Sequence, residues 1–167
     1  LNWYRQACQQ SYGESCGRLA EKFRIGEGVV RSSREANRYL ELGCNHADGA
    51  SCGQLGMVYE SGSQGLMRDL ERAARQYERA CNLQDPNGCW RLGTFYEAGT
   101  VVEQDYVKAL EVYDIACEAG LEEACAAAEP IAFRARFEQI IQTGFESEIC
   151  QVWSFDPDDP EKNRILA

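Results

Sequence analysis

Cys81-Asn82-Leu83-Gln84-Asp85-Pro86-Asn87-Gly88-Cys89 places two cysteines seven residues apart, across a turn. The same separation recurs at Cys8 and Cys16, at Cys44 and Cys52, and at Cys117 and Cys125. The first cysteines of successive pairs, at 8, 44, 81 and 117, are therefore 36, 37 and 36 residues apart. A fixed period in this range marks a solenoid, in which one supersecondary unit stacks on the next and buries a continuous core. Such an architecture points to scaffolding or recognition as the class of function.

Aligned on the cysteines, the units share more than cysteine. Three residues past the second cysteine come Leu19-Ala20, Leu55-Gly56 and Leu92-Gly93, followed by an aromatic at Phe23, Tyr59 and Tyr96. This i, i+3, i+7 spacing is one face of a helix. The small residue beside each leucine lets a neighbouring helix approach closely, which is the packing reason a glycine inside a helix needs to offset its cost of about 1 kcal/mol against alanine. Each first helix is expected to stop at Gly26, Gly62 or Gly99. A second helix follows, with Ala36, Ala73 and Ala109 eight residues before its closing cysteine and Leu40, Tyr77 and Tyr113 four residues before it. Ser32, Asp69 and Asp105 stand where N-caps belong. The loop from Gly62 to Asp69 is one residue longer than that from Gly99 to Asp105, which accounts for the 37-residue interval.

Composition narrows the setting. The chain has 167 residues, 44% of them hydrophobic, enough to bury one core. Its net charge of -10, from 17 basic and 27 acidic residues, argues against nucleic acid or an anionic membrane surface and for a neutral or basic partner. Arginine outnumbers lysine heavily, which points weakly to a GC-rich bacterial genome. Nine cysteines, eight of them periodic, suit an oxidising compartment. Residues 1–5 carry no leader signature, so a removed leader or an excised fragment is expected. No run of eighteen apolar residues is present, so no segment of this stretch is expected to span a membrane.

The pattern resembles the Sel1-like repeat, carried here by Leu55, Gly56, Tyr59, Gly62, Asp69, Ala73, Tyr77, Ala80 and Cys81, and again by Leu92, Gly93, Tyr96, Gly99, Asp105, Ala109, Tyr113, Ala116 and Cys117. The C-x7-C pair narrows the likeness to the cysteine-rich subgroup first known as secreted Helicobacter proteins. It covers roughly residues 1 to 125, and the first unit departs most, with Ala20 for glycine and Phe23 for tyrosine. The resemblance implies an all-α, right-handed superhelix of helix pairs. The expected division is a second helix of a truncated preceding repeat (1–14), three repeats (15–50, 51–87 and 88–123), a divergent capping helix (124–146) and an irregular C-terminal segment (147–167). Pro130 should interrupt or start a helix, and Phe133, Phe137, Ile140, Ile141 and Phe145 form the stripe expected to close the core. The segment 151–155 reads as an extended apolar piece docked on the body.

Three chemistries are open to the cysteines: disulfides, metal ligands and redox groups. Zinc sites want spacings of two to four residues, and oxidoreductases want C-x-x-C. Seven intervening residues bring the end of one helix within disulfide reach of the start of the next, and each bridge would add about 2.5 kcal/mol on the chain-entropy estimate. Disulfides are therefore expected, and the resemblance implies the pairing Cys8–Cys16, Cys44–Cys52, Cys81–Cys89 and Cys117–Cys125, each clamping one repeat to the next. Cys150 is left over as a free or externally paired thiol. The only histidine, His46, lies in a turn, and no G-x-S-x-G or S-x-x-K is present to build serine catalysis. No cofactor or metal is expected.

Surface remains. First helices usually line the concave face of such stacks, and their outward positions should be Arg18, Glu21, Lys22, Gln54, Met57, Glu60, Arg91, Thr94 and Glu97. That mixed, partly apolar face suits a protein or peptide. The expectation is a non-enzymatic interaction scaffold of the bacterial periplasm or exterior. The resemblance keeps two others open: a beta-lactam or peptidoglycan-fragment binder with weak hydrolase activity, which a chromogenic cephalosporin would reveal, and an assembly role in an oxidising organelle such as the mitochondrial intermembrane space.

Overall fold

The structure, a computed structural model, describes residues 1–142. Among the described residues are eight helices and no strand: α1 (Asn2–Gln9), α2 (Gly13–Ile25), α3 (Ser33–Asn45), α4 (Gly49–Ser61), α5 (Leu70–Asn82), α6 (Pro86–Ala98), α7 (Tyr106–Glu118) and α8 (Glu122–Gln142). Cys150 and the segment 147–167 lie outside them.

Capping fixes the register of the pairs. Ser32, Asp69 and Asp105 accept hydrogen bonds from the backbone N–H of Glu35, Arg72 and Lys108 at 3.3, 2.8 and 2.9 Å, starting α3, α5 and α7 as expected. Helices α2, α4 and α6 end on Gly26, Gly62 and Gly99, at φ 84°, 65° and 61°. Two further caps were not anticipated: Asp48 and Asp85 accept from Ser51 N–H (3.2 Å) and Gly88 N–H (2.8 Å) and start α4 and α6.

The turn between cysteines has one conformation in all four copies. The residue three past the first cysteine is left-handed: Ser11 (φ 67°), Ala47 (φ 60°), Gln84 (φ 61°) and Gly120 (φ 91°). Only the last is a glycine, and a Cβ built there would meet nothing within 4 Å. Gly120→Ala is therefore expected to cost about 1 kcal/mol through backbone strain alone. Chemical denaturation of the variant measures it.

All four expected disulfides are formed, with Cα atoms 4.4 to 4.9 Å apart. Each ties the second helix of one pair to the first helix of the next. So close an approach leaves room only for small residues beside the bridge. The residues preceding the two cysteines are Ala7 and Ser15, Gly43 and Ser51, Ala80 and Gly88, and Ala116 and Ala124. A Cβ on Gly43 would strike the Ser51 hydroxyl, and one on Gly88 would strike the Ala80 methyl.

The main hydrophobic cluster runs from Ala20 to Ile131 and includes Leu55, Tyr77, Leu92 and Tyr113, with smaller ones at Cys8, Cys16 and Leu19 and at Cys44, Cys52 and Ala80. The rings of Tyr77 and Tyr113, at 1% and 0% exposure, pack directly against Gly56 and Gly93. That is the close approach expected from the Leu-Gly pairs. In the first unit, where alanine replaces glycine, the smaller Leu40 replaces the ring. Consecutive first helices also touch, α2 on α4 and α4 on α6, with no comparable contact from α3 to α5 or α5 to α7. The stack therefore curves with its first helices on the inner side.

The capping helix differs from expectation in two ways. Helix α8 continues through Pro130: both Pro130 and Ala126, whose carbonyl loses its N–H partner, are exposed, and water can serve the orphan. Its packed face is Ala124, Ala128, Ile131 and Ala135, while Phe133 is 79% exposed. Phe133 is out of phase with the small residues that let α8 lie close to α7. Phe145 and the side chains of Phe137, Ile140 and Ile141 lie outside the described residues.

Candidate functional site

The inner side of the stack carries three clefts that meet at Met57. One, of about 400 Å³, lies between α2 and α4 and is lined by Glu21, Arg24, Gln54, Met57, Ser61 and Gln64 among others. A second, of about 320 Å³, lies between α4 and α6, lined by Gly53, Gln54, Met57, Asp85, Trp90 and Arg91 among others. A third, of about 580 Å³, opens over Met57, Glu60, Ser61, Arg68 and Arg91. Met57 is 44% exposed on a helix whose neighbouring Leu55, Val58 and Tyr59 are buried. An apolar side chain thus stands in the open at the junction of the three clefts.

Each cleft follows from the repeat. Where first helices pass each other, Gly17 and Gly53 follow the second cysteine. These glycines make room for the capping carboxylates of the next repeat, since a Cβ on Gly17 would lie 2.9 Å from Asp48 Oδ2 and one on Gly53 2.8 Å from Asp85 Oδ2. In the third repeat this position is Trp90, whose half-buried indole instead builds a wall of the α4/α6 cleft and carries the Arg91 guanidinium 4.8 Å from its ring centre. Burial pushes the Asp85 carboxyl above its usual pKa, against the opposing pull of the Gly88 N–H.

The charged residues are committed to different degrees. Tyr77 Oη donates to Glu60 Oε2 at 2.5 Å, and Glu60 Oε1 lies 3.6 Å from Arg91 Nη1, so Glu60 links its own repeat to the next. Tyr113 repeats the motif with Glu97 at 3.0 Å. Burial, reinforced by these carboxylates, raises both phenol pKa values, and both hydroxyls stay donors. Arg24 holds Glu21 through two bonds of 2.6 Å and keeps its carboxyl below the usual range.

Of the nine positions expected on this face, Glu21, Gln54, Met57, Glu60 and Arg91 line the three clefts. The other four do not. Arg18 pairs with Glu14 at 3.3 Å near the start of α2. Lys22 pairs with Glu27 at 2.9 Å and sits over the Tyr4 ring. The Thr94 hydroxyl donates to the carbonyl of Arg91, and Glu97 is taken up by Tyr113. Arg24, Arg68, Asp85 and Trp90 were missed. For Trp90 a signal existed: a large aromatic stands in the place of two glycines.

Among the described residues no helix is long and apolar enough to cross a membrane. Nor does any group of three or more His, Cys, Asp or Glu there have a disposition suited to a metal ion.

Comparison with known proteins agrees with this architecture. No curated protein matches the sequence significantly. A crystal structure of a Sel1 repeat protein from Oxalobacter formigenes is similar at a TM-score of 0.72 and 26% identity, over 76% of this chain and 95% of that one. Helicobacter pylori cysteine rich protein B is similar at a TM-score of 0.61 and 30% identity, over 75% of this chain and 90% of that one. A protective antigen of uropathogenic Escherichia coli strains displaying an SLR fold matches at a TM-score of 0.66 and 26% identity, over 74% of this chain but only 26% of the antigen. The fold is thus the all-α, right-handed superhelix of those proteins, and Sel1 repeat proteins are in general scaffolds for protein–protein interaction. The sequence profile of the Sel1 repeat matches residues 1–12, 13–48, 49–85 and 86–121 in succession, and the chain belongs to the Sel1 repeat family.

Proposed function

We propose that the protein is a non-catalytic scaffold that holds an extended segment of another protein in the groove formed by α2, α4 and α6, and that it works in the bacterial periplasm or outside the cell. The observation that carries this reading is the meeting of three clefts at the exposed Met57. Trp90, Met57 and Arg91 in the cleft walls are of the residue types enriched at interface centres. Four disulfides support the location, since such bridges persist where thiols are not kept reduced. The bridges also fix the groove before a partner arrives, which lowers the ordering cost of binding.

Photo-crosslinking tests the reading. A benzophenone amino acid at position 57 is expected to capture a partner in the native envelope, and the same group at the exposed Arg75 of α5 is not. Met57→Glu keeps the helix propensity and puts a charge in the groove. It should weaken binding of the captured partner at least tenfold, about 1.4 kcal/mol, with little change in stability. Equal capture from both positions, or unchanged affinity in the variant, overturns the assignment of this face.

A further inference from the structure

The arginines of the groove are not equivalent. Arg24 is neutralised by Glu21 through two bonds. Arg91 shares Glu60 with the hydroxyl of Tyr77. Arg68 makes one bond, from Nε to the backbone carbonyl of Glu60 at 3.2 Å, and has no carboxylate partner among the described residues. The cleft of about 580 Å³ over Met57 therefore holds two guanidinium groups against one carboxylate, itself already shared.

Arg68 is also held in place. It belongs to the loop with the extra residue, and its backbone packs so close to Gly62 that a Cβ there would lie 2.8 Å from its nitrogen. Asn37 of α3 anchors the same loop by donating to the carbonyl of Gln64 at 3.1 Å. The corresponding residue of the next repeat, Gln104, plays the same structural part, with its Nε2 donating to the carbonyl of Glu97 at 2.8 Å. A neutral side chain thus suffices to cap the end of a first helix. Capping does not require the charge on Arg68.

We infer that the groove recognises a single carboxylate side chain, an aspartate or glutamate of the bound segment, on Arg68 with Arg91 beside it, next to an apolar side chain seated on Met57 and Trp90. The inference rests on the groove reading above and adds the chemistry of the ligand. A planar guanidinium with free N–H groups matches a carboxylate, and anchoring through Nε reduces the entropy lost on pairing. Clefts on both sides of Met57 suit a segment that passes through, so the carboxylate is that of a side chain and not of a chain end. The net charge of -10 repels a strongly acidic segment at long range, so the carboxylate stands alone in an otherwise neutral or basic sequence.

The test uses acetylated, amidated nonapeptides of Gly, Ser and one Lys, carrying one Leu and one Glu at every spacing from adjacent to four apart, and the same set with Gln for Glu. Fluorescence anisotropy is expected to find at least one spacing at which the Glu peptide binds about tenfold tighter than its Gln counterpart. Arg68→Gln retains the carbonyl cap that Gln104 exemplifies and should lower the affinity of the Glu peptide to that of the Gln peptide. A preference for Glu that persists in Arg68→Gln overturns the inference, as does a set in which nothing binds. If Glu and Gln peptides bind alike and Met57→Glu abolishes both, the carboxylate inference fails while the groove reading stands.

Discussion

Gly56→Ala is expected to destabilise the protein by about 1–3 kcal/mol, although alanine is the better helix former by about 1 kcal/mol. The added methyl would lie 2.6 Å from Cε1 and 2.7 Å from Cδ1 of Tyr77. That ring cannot retreat easily: it is 1% exposed, and its hydroxyl is held by Glu60. The first repeat suggests the remedy, since Ala20 there stands opposite the Leu40 position and not a tyrosine. The double variant Gly56→Ala, Tyr77→Leu should be less destabilised than the sum of the two single changes by about 1 kcal/mol or more. Chemical denaturation of the four proteins in this cycle measures the coupling. Strict additivity would mean that glycine and ring do not depend on each other.

Reduction of the disulfides carries the larger expected effect. Each bridge closes a short loop and contributes about 2.5 kcal/mol, so that losing all four removes an amount comparable to the 5–15 kcal/mol by which whole domains are stable. The fully reduced protein should therefore lose most of its helical circular dichroism at ambient temperature. The order of loss is also set. Cys8, Cys16, Cys44, Cys52, Cys81 and Cys89 are buried at 0 to 5% exposure, whereas Cys117 in α7 and Cys125 in α8 are partly exposed. Mild reductant should open Cys117–Cys125 first, and peptide mapping after trapping the freed thiols will show the sequence. A fully reduced protein with unchanged melting temperature would contradict the structural role given to the bridges.

The repeat made most of this fold legible from the chain alone. Period, helix faces, glycine stops and three caps are local properties repeated in several copies, and each copy corroborates the others. What escaped was the chemistry between copies. Asp48 and Asp85 sit within the inter-cysteine turns, where an aspartate satisfies turn and cap equally, and only the geometry shows that their carboxylates settle against Gly17 and Gly53 of the preceding first helix. Pro130 misled because a proline's cost depends on which carbonyl it orphans, and the residue concerned, Ala126, is exposed. Phe133 misled because apolar spacing does not report how closely two helices approach: Ala124, Ala128, Ile131 and Ala135 pack, and the large ring stays outside. Four of the nine positions expected on the concave face lie away from the three clefts for a related reason. Glu97 and Thr94 satisfy partners of their own, while Trp90 and Arg68 enter the clefts from a glycine position and a loop that helix periodicity does not reach.

Covalent clamping of each repeat to the next is the central claim, because the proposed rigidity of the groove and the proposed compartment both rest on it. Intact mass after alkylation of the denatured, unreduced protein tests it directly. Eight of the nine cysteines are paired, so no more than one alkyl group should be added, and digestion should yield the four C-x7-C peptides unmodified. Alkylation of any of those eight residues in protein taken from its native setting would contradict the account.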